Sequence, residues 1–232
     1  MSELKVDSVA FLTDLIKLVN SARIGSVIID DLGVRAIDET GTIAFMGTDV
    51  PEFPGNMGLT RVPQLKARLD LFQGKSDFKV EYTMNEEKGF VKALKFISNG
   101  IKADYRTGDP ENIRAPKRIL DEDATGFTLS SETVSEIQSA VGAFGPAKDI
   151  QFAVRDGNVL INIQDENGDG FSKILGTAEV DNLAHTYDAL NVSNLMKLCI
   201  SGGNVEIAIG QKGILTIKRA SFNFYVMPSK RG

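Results

Sequence analysis

Tryptophan is absent from the 232 residues, and cysteine and histidine occur once each, as Cys199 and His185. A lone cysteine excludes an internal disulfide and suits a reducing compartment. A lone histidine leaves the common triad and zinc patterns without their partners. It sits in the alternating stretch Ala184-His185-Thr186-Tyr187-Asp188-Ala189 and reads as a strand residue facing solvent. Cys199 falls on the apolar face of a short helical pattern and reads as a small buried hydrophobe. No apolar run approaches the ~20 residues that span a bilayer. Met1 to Val9 alternates polar and apolar without a basic-then-apolar signal, so the cytoplasm is the expected location. There is no Walker loop and no G-x-G-x-x-G following a strand.

Positive charge is also in short supply, with 26 Lys and Arg against 31 Asp and Glu and a net charge of −5. Proteins that grip phosphates with their whole surface are basic. Any nucleic-acid contact must therefore come from a local basic face on an acidic body. The length suits one or two domains with a substantial core.

Asp165-Glu166-Asn167-Gly168-Asp169-Gly170 begins like a calcium loop, D-x-N-x-D-G. The twelfth position, where a bidentate glutamate is required, is Gly176, and both flanks read as strands. A polar turn between strands is the expectation. The competing reading, a carboxylate enzyme holding a metal at Asp165 and Asp169, lacks the rest of a ligand set. No cofactor or metal is expected, and no carboxylate pair stands out as an acid–base couple.

What is present is one plan written twice. Val9, Leu12, Leu15, Ile16 and Val19 form an apolar stripe at helical spacing, with Asp7 as the predicted cap. Val134, Ile137, Val141 and Phe144 do the same after Ser130. A hairpin follows each helix, turning at Asp30-Asp31-Leu32-Gly33 in one half and Arg155-Asp156-Gly157-Asn158 in the other. Further strand follows at Thr42–Phe45, and at Phe171–Val180 and Ala184–Ala189. A second helix is predicted from Leu59, Val62, Leu65 and Leu69, and its counterpart from Leu190, Val192, Leu195, Leu198 and Cys199, capped by Asn191. Each half closes with strands: Phe78–Tyr82, Phe90–Phe96 and Gly100–Tyr105, then Val205–Ile209, Ile214–Ile217 and Ser221–Val226. Arg106 to Ala124 is charged, Pro-containing and aperiodic, as a connector would be. The fold class is α+β, with helices covering one face of antiparallel sheet. The expected division is domain 1 over residues 1–106, a connector over 107–124 and domain 2 over 125–232.

This order of elements resembles the DNA sliding-clamp family. Within it, the chain is similar to the processivity factors of T-even-like bacteriophages, and it is related in plan to the cellular clamp PCNA. The carriers are Ser8-Val9-Ala10-Phe11-Leu12, the stretch from Asp149 to Asn162, and the closing stretch from Leu190 to Met227. Arg35-Ala36-Ile37-Asp38-Glu39-Thr40 resembles the loop that clamps place near their partner pocket. The resemblance implies a homotrimeric ring of two similar clamp domains per subunit, with sheets outside and helices lining a hole for duplex DNA. It implies a tether for polymerase rather than an enzyme, working in the host cytoplasm if viral. The implied partners are DNA, the polymerase C-terminal peptide, a clamp-loader ATPase and late-transcription factors. A non-clamp binding or structural module built from the same doubled unit is the alternative.

The implied sites fall on particular residues. Lys17, Arg61, Lys66, Arg68 and Lys197 lie on or flank the polar faces of three helical patterns, and Lys148 stands in for the third helix, which has no basic residue. Ile37, Ile113, Ile119, Leu120, Tyr225, Met227 and Pro228 are the implied partner-peptide pocket. Ile101, Ala103 and Tyr105 of one subunit are implied to meet Lys173, Leu175, Thr177 and Glu179 of the next.

Overall fold

The computed structural model describes residues 2–119, 121–144, 148–180 and 182–229; of the predicted site residues, Leu120 lies outside them. The chain divides into two compact units, Met1–Lys117 and Arg118–Gly232.

The first unit runs β1 (Ser2–Glu3), α1 (Val6–Ser21), β2 (Val27–Asp30), β3 (Gly33–Ile37), β4 (Ile43–Gly47), β5 (Met57–Leu59), α2 (Val62–Asp70), β6 (Lys79–Asn85), β7 (Phe90–Ser98) and β8 (Ile101–Arg106). The second runs β9 (Asp123–Ser130), α3 (Ser131–Ala143), β10 (Asp149–Arg155), β11 (Asn158–Gln164), β12 (Gly170–Thr177), β13 (Leu183–Asp188), α4 (Ala189–Leu198), β14 (Asn204–Gly210), β15 (Leu215–Arg219) and β16 (Phe222–Val226). Pairing within the first unit gives the orders β5-β2-β3-β4 and β1-β6-β7-β8. The second gives β13-β10-β11-β12 and β9-β14-β15-β16. The two lists match strand for strand, and every ladder is antiparallel. The α+β class and the doubled plan are therefore borne out.

Amphipathicity drives each unit. Leu12, Leu15, Ile16 and Val19 of α1 are fully buried, as are Val62 and Leu65 of α2, and α1 packs on α2. On the sheets, Val34, Ala36, Val80 and Phe96 are also inaccessible. In the second unit α3 packs on α4, and Ile137, Val192, Ile161 and Phe224 occupy equivalent depths. Each such valine, leucine, isoleucine or phenylalanine contributes roughly 1.5–3 kcal/mol by leaving water. Phe72 stacks on Phe78 at 5.1 Å, and Phe152 meets Tyr187 edge-on at 6.0 Å.

Several local expectations need correction. Asp7 is not the cap of α1; Lys5 precedes the helix with no side-chain cap, and Asp7 sits in the first turn, where a carboxylate still favours the helix dipole. Leu59 belongs to β5, because Arg61, at φ 53°, turns the chain before α2. Asp188, not Asn191, caps α4 by accepting from Asn191 N at 2.7 Å, and Leu190 is half exposed. Ser130 caps α3 as predicted, accepting from Thr133 N at 3.2 Å. The short strands β1 and β5 and the long strand β9 carry no prediction.

Candidate functional site

The calcium-like segment is the turn between β11 and β12. Asp165 Oδ1 is occupied by the amides of Asn167 and Asp169, both at 2.9 Å. No group of three metal-ligating side chains occurs among the described residues. His185 does not face solvent freely; it is half-buried on β13, its ring against Gly213. Cys199 is fully buried, and burial pushes its thiol up to about 12, with Arg219 pulling weakly the other way. The thiol is therefore protonated throughout the neutral range and is no nucleophile. The unfolded thiol ionises from about pH 9.0. Sitting above that value in the folded chain, this group stabilises the fold below pH 9 and loses that contribution as pH rises toward 12.

The predicted cations divide by environment. Lys17 on α1 and Lys197 on α4 are exposed, opposite the buried stripes of their helices. Lys17 has only a long 3.9 Å contact to Asp14. Lys66 on α2 pairs with Asp70 at 2.7 Å, a one-turn surface bridge worth a few tenths of a kcal/mol. Lys148 adjoins the start of α4, where its carbonyl accepts from Ala189 N at 3.0 Å, and its ammonium lies 3.6 Å from Glu166. Arg61 and Arg68 behave differently. Arg61 Nη2 donates to the Arg106 carbonyl at 2.9 Å, and its guanidinium lies 5.6 Å from the Tyr105 ring centre. Arg68 reaches the same ring at 6.0 Å. These are cation–π distances, and they draw both arginines to the β8 end of the unit.

The residues implied in subunit contact lie on or beside two edge strands. β8 is the last strand of β1-β6-β7-β8, and β12 the last of β13-β10-β11-β12. Ile101 on β8 and Ile174 on β12 are 38% and 59% exposed, which is unusual for isoleucine on an unpaired edge. Leu175 is half-buried and Thr177 exposed on β12, and Glu179 lies two residues beyond it. Tyr105 is buried within its own unit, its hydroxyl donating to the Thr60 carbonyl, so its backbone rather than its ring is at the edge. Lys173 is ion-paired to Glu136 of α3.

Of the predicted pocket residues, Ile37 and Ile113 belong to the first unit and Ile119, Tyr225, Met227 and Pro228 to the second. Ile37 is half-buried at the end of β3, whose residues Arg35 and Ala36 are strand, not loop. Ile113 packs its Cδ1 over Gly58 on β5, which β2 separates from β3. Its side chain is half-buried there. Ile119, Tyr225, Met227 and Pro228 are half-buried in the second unit. Ile119 lines a surface cavity with Asp121, Glu122, Gln211 and Lys212.

No family model matches the chain, and no curated protein matches it in sequence. Solved structures do. A. fulgidus PCNA, solved with the C-terminal region of FEN-1, aligns at TM-score 0.68 and 12% identity over 95% of this chain and 97% of that one. PCNA from Entamoeba histolytica aligns at 0.69 and 16%, over 95% and 96%. The DNA polymerase sliding clamp of Caulobacter crescentus aligns at 0.72 and 12%, over 99% of this chain but 66% of its own. The chain has the sliding-clamp fold.

Within that fold, two side chains that the sequence reading did not single out hold the connecting segment. Arg35, only 7% exposed, pairs with Asp30, and its Nη1 donates to the Pro116 carbonyl at 2.8 Å. Asp121 accepts from the amides of Lys212 and Ile214, each at 2.9 Å, and so closes the β14–β15 turn. Within the predicted connector, Pro116 is thus held in the first unit and Asp121 in the second. An Arg inside an apolar strand was the one available signal for the first of these. Nothing local marks Asp121, whose partners lie about ninety residues away.

Proposed function

We propose that this protein is a DNA sliding clamp of the T-even-like bacteriophage type, closing head to tail as a homotrimer around duplex DNA. The observation that carries the reading is the clamp fold running the full length of the chain, against clamps from three organisms. The assembly uses β8 of one copy beside β12 of the next, which covers Ile101 and Ile174 and removes two open edges. Such a ring needs no active site. It holds DNA by topology, so contacts must be weak enough to slide. Lys17, Lys66, Lys148 and Lys197 supply a sequence-blind attraction to phosphates, and the acidic balance of the rest discourages binding outside. The ring tethers the replicative polymerase in the host cytoplasm, is opened by a loader ATPase, and serves late-transcription factors.

The DNA face is tested by replacing Lys17, Lys66 and Lys197 together with alanine. The slope of log affinity against log salt is expected to fall by roughly 0.9 per lost phosphate contact. The melting temperature should hold, since Lys17 and Lys197 are exposed and Lys66 makes only a surface bridge. An unchanged slope would show that DNA lies against another face.

For the partner peptide, the PCNA solved with the C-terminal region of FEN-1 supports a site for a short terminal segment. We place it on the second unit, at Ile119, Tyr225, Met227 and Pro228. Met227→Ala is expected to weaken the cognate polymerase peptide by about 1–2 kcal/mol in fluorescence polarisation, as an apolar anchor would. Wild-type affinity in that variant would remove Met227 from the site.

A further inference from the structure

The third helix has remained unexplained, because it carries Glu132 and Glu136 and no basic residue in a fold whose other helices present cations. Its placement suggests a different task. Lys173 stands opposite the fully buried Ile161, so its side chain lies on the helix side of the sheet, where it pairs with Glu136. Glu136 is thereby held at the β12 edge of the second unit.

At the β8 edge of the first unit the charge is reversed. Tyr105 stands opposite buried Leu94, so its ring also lies on the helix side. Arg61 and Arg68 gather over that ring, and neither has a carboxylate partner among the described residues. Two cations without counter-ions thus sit on the helix side of one free edge. A carboxylate on an otherwise uncompensated acidic helix sits on the same side of the other. Joining the edges brings these groups together on one side of a continuous sheet.

We infer that Arg61 and Arg68 of one copy form ion pairs with Glu136 of the next, making α2 and α3 an electrostatic latch across the subunit contact. This rests on the head-to-tail reading above. It moves the two arginines from the DNA face to the assembly face, and it accounts for the absence of lysine and arginine from α3. The Tyr105 ring pre-positions the guanidiniums, which reduces the side-chain entropy lost on pairing. Glu136 is then shared between Lys173 of its own chain and arginine from the neighbour.

The test is a charge swap read by sedimentation equilibrium. Arg68→Glu and Glu136→Arg should each weaken self-association about tenfold or more, and the two together in one chain should restore most of it. Should Glu136→Arg fail to fold by circular dichroism, Arg68→Gln decides instead. Wild-type association should weaken between about 0.05 and 0.5 M salt, and that variant should lose much of the dependence. Single variants that associate like wild type, a double variant that is not rescued, or an unaltered salt dependence in Arg68→Gln would overturn the latch and leave the clamp reading standing. A wild-type chain that stays monomeric throughout would overturn both.

Discussion

Replacing Arg35 with methionine is expected to lower stability by about 3 kcal/mol, the size found when one partner of a buried ion pair is removed. The Arg35 and Asp30 side chains are only 8% and 17% exposed. Without the guanidinium, Asp30 keeps the Leu32 amide at 3.0 Å but loses its counter-charge. The Pro116 carbonyl loses its donor as well. Arg35 Nε is already buried without a hydrogen-bond partner, so the native arrangement is not a perfect one. A double variant, Asp30→Asn with Arg35→Met, should therefore cost less than the sum of its parts. Denaturant titration gives the energies, and amide exchange should rise over residues 114–119 in the single variant. A loss under about 0.5 kcal/mol would place Arg35 among ordinary surface residues.

Gly33→Ala is expected to be as damaging, by about 3 kcal/mol, through backbone geometry rather than charge. Gly33 opens β3 at φ 98°, a conformation that side chains rarely adopt. A Cβ there would lie 2.1 Å from the Gly47 carbonyl oxygen, and a backbone atom within the β3–β4 ladder cannot swing aside. Gly74 is the control: its φ is 74° but nothing lies within 4 Å, so alanine there should cost about 1 kcal/mol. Equal losses at the two positions would mean that the β3–β4 approach is looser than it looks.

The parts of the fold legible in the sequence were those with their own period. The helical stripe of α1 and the Asp156-Gly157 turn, at φ 51° and 70°, needed no distant information. Strand β9 is readable in principle, since Thr125 and Leu129 alternate inward, yet only its first two residues fall in the charged segment that ends at Ala124, and its remainder carries no prediction. Strand β5 is three residues long and leads directly into a helix, too short for any period. Of the three predicted caps only Ser130 is one: α1 starts at Lys5 with no side-chain cap, and at α4 backbone geometry chooses Asp188 over Asn191. Distant pairings were the least legible. The path of Arg61 and Arg68 to Tyr105 depends on which strand lies over which helix, and the sequence showed only that both flank an apolar stripe. The pocket residues were named by resemblance, and no local pattern in the sequence marks them.

Electron microscopy of the purified chain, backed by light scattering, tests the central claim most directly. The account predicts closed rings with three-fold symmetry and a mass three times the 25.2 kDa chain. Particles of single-chain mass, or open filaments that never close, at concentrations of about 10 μM would contradict it.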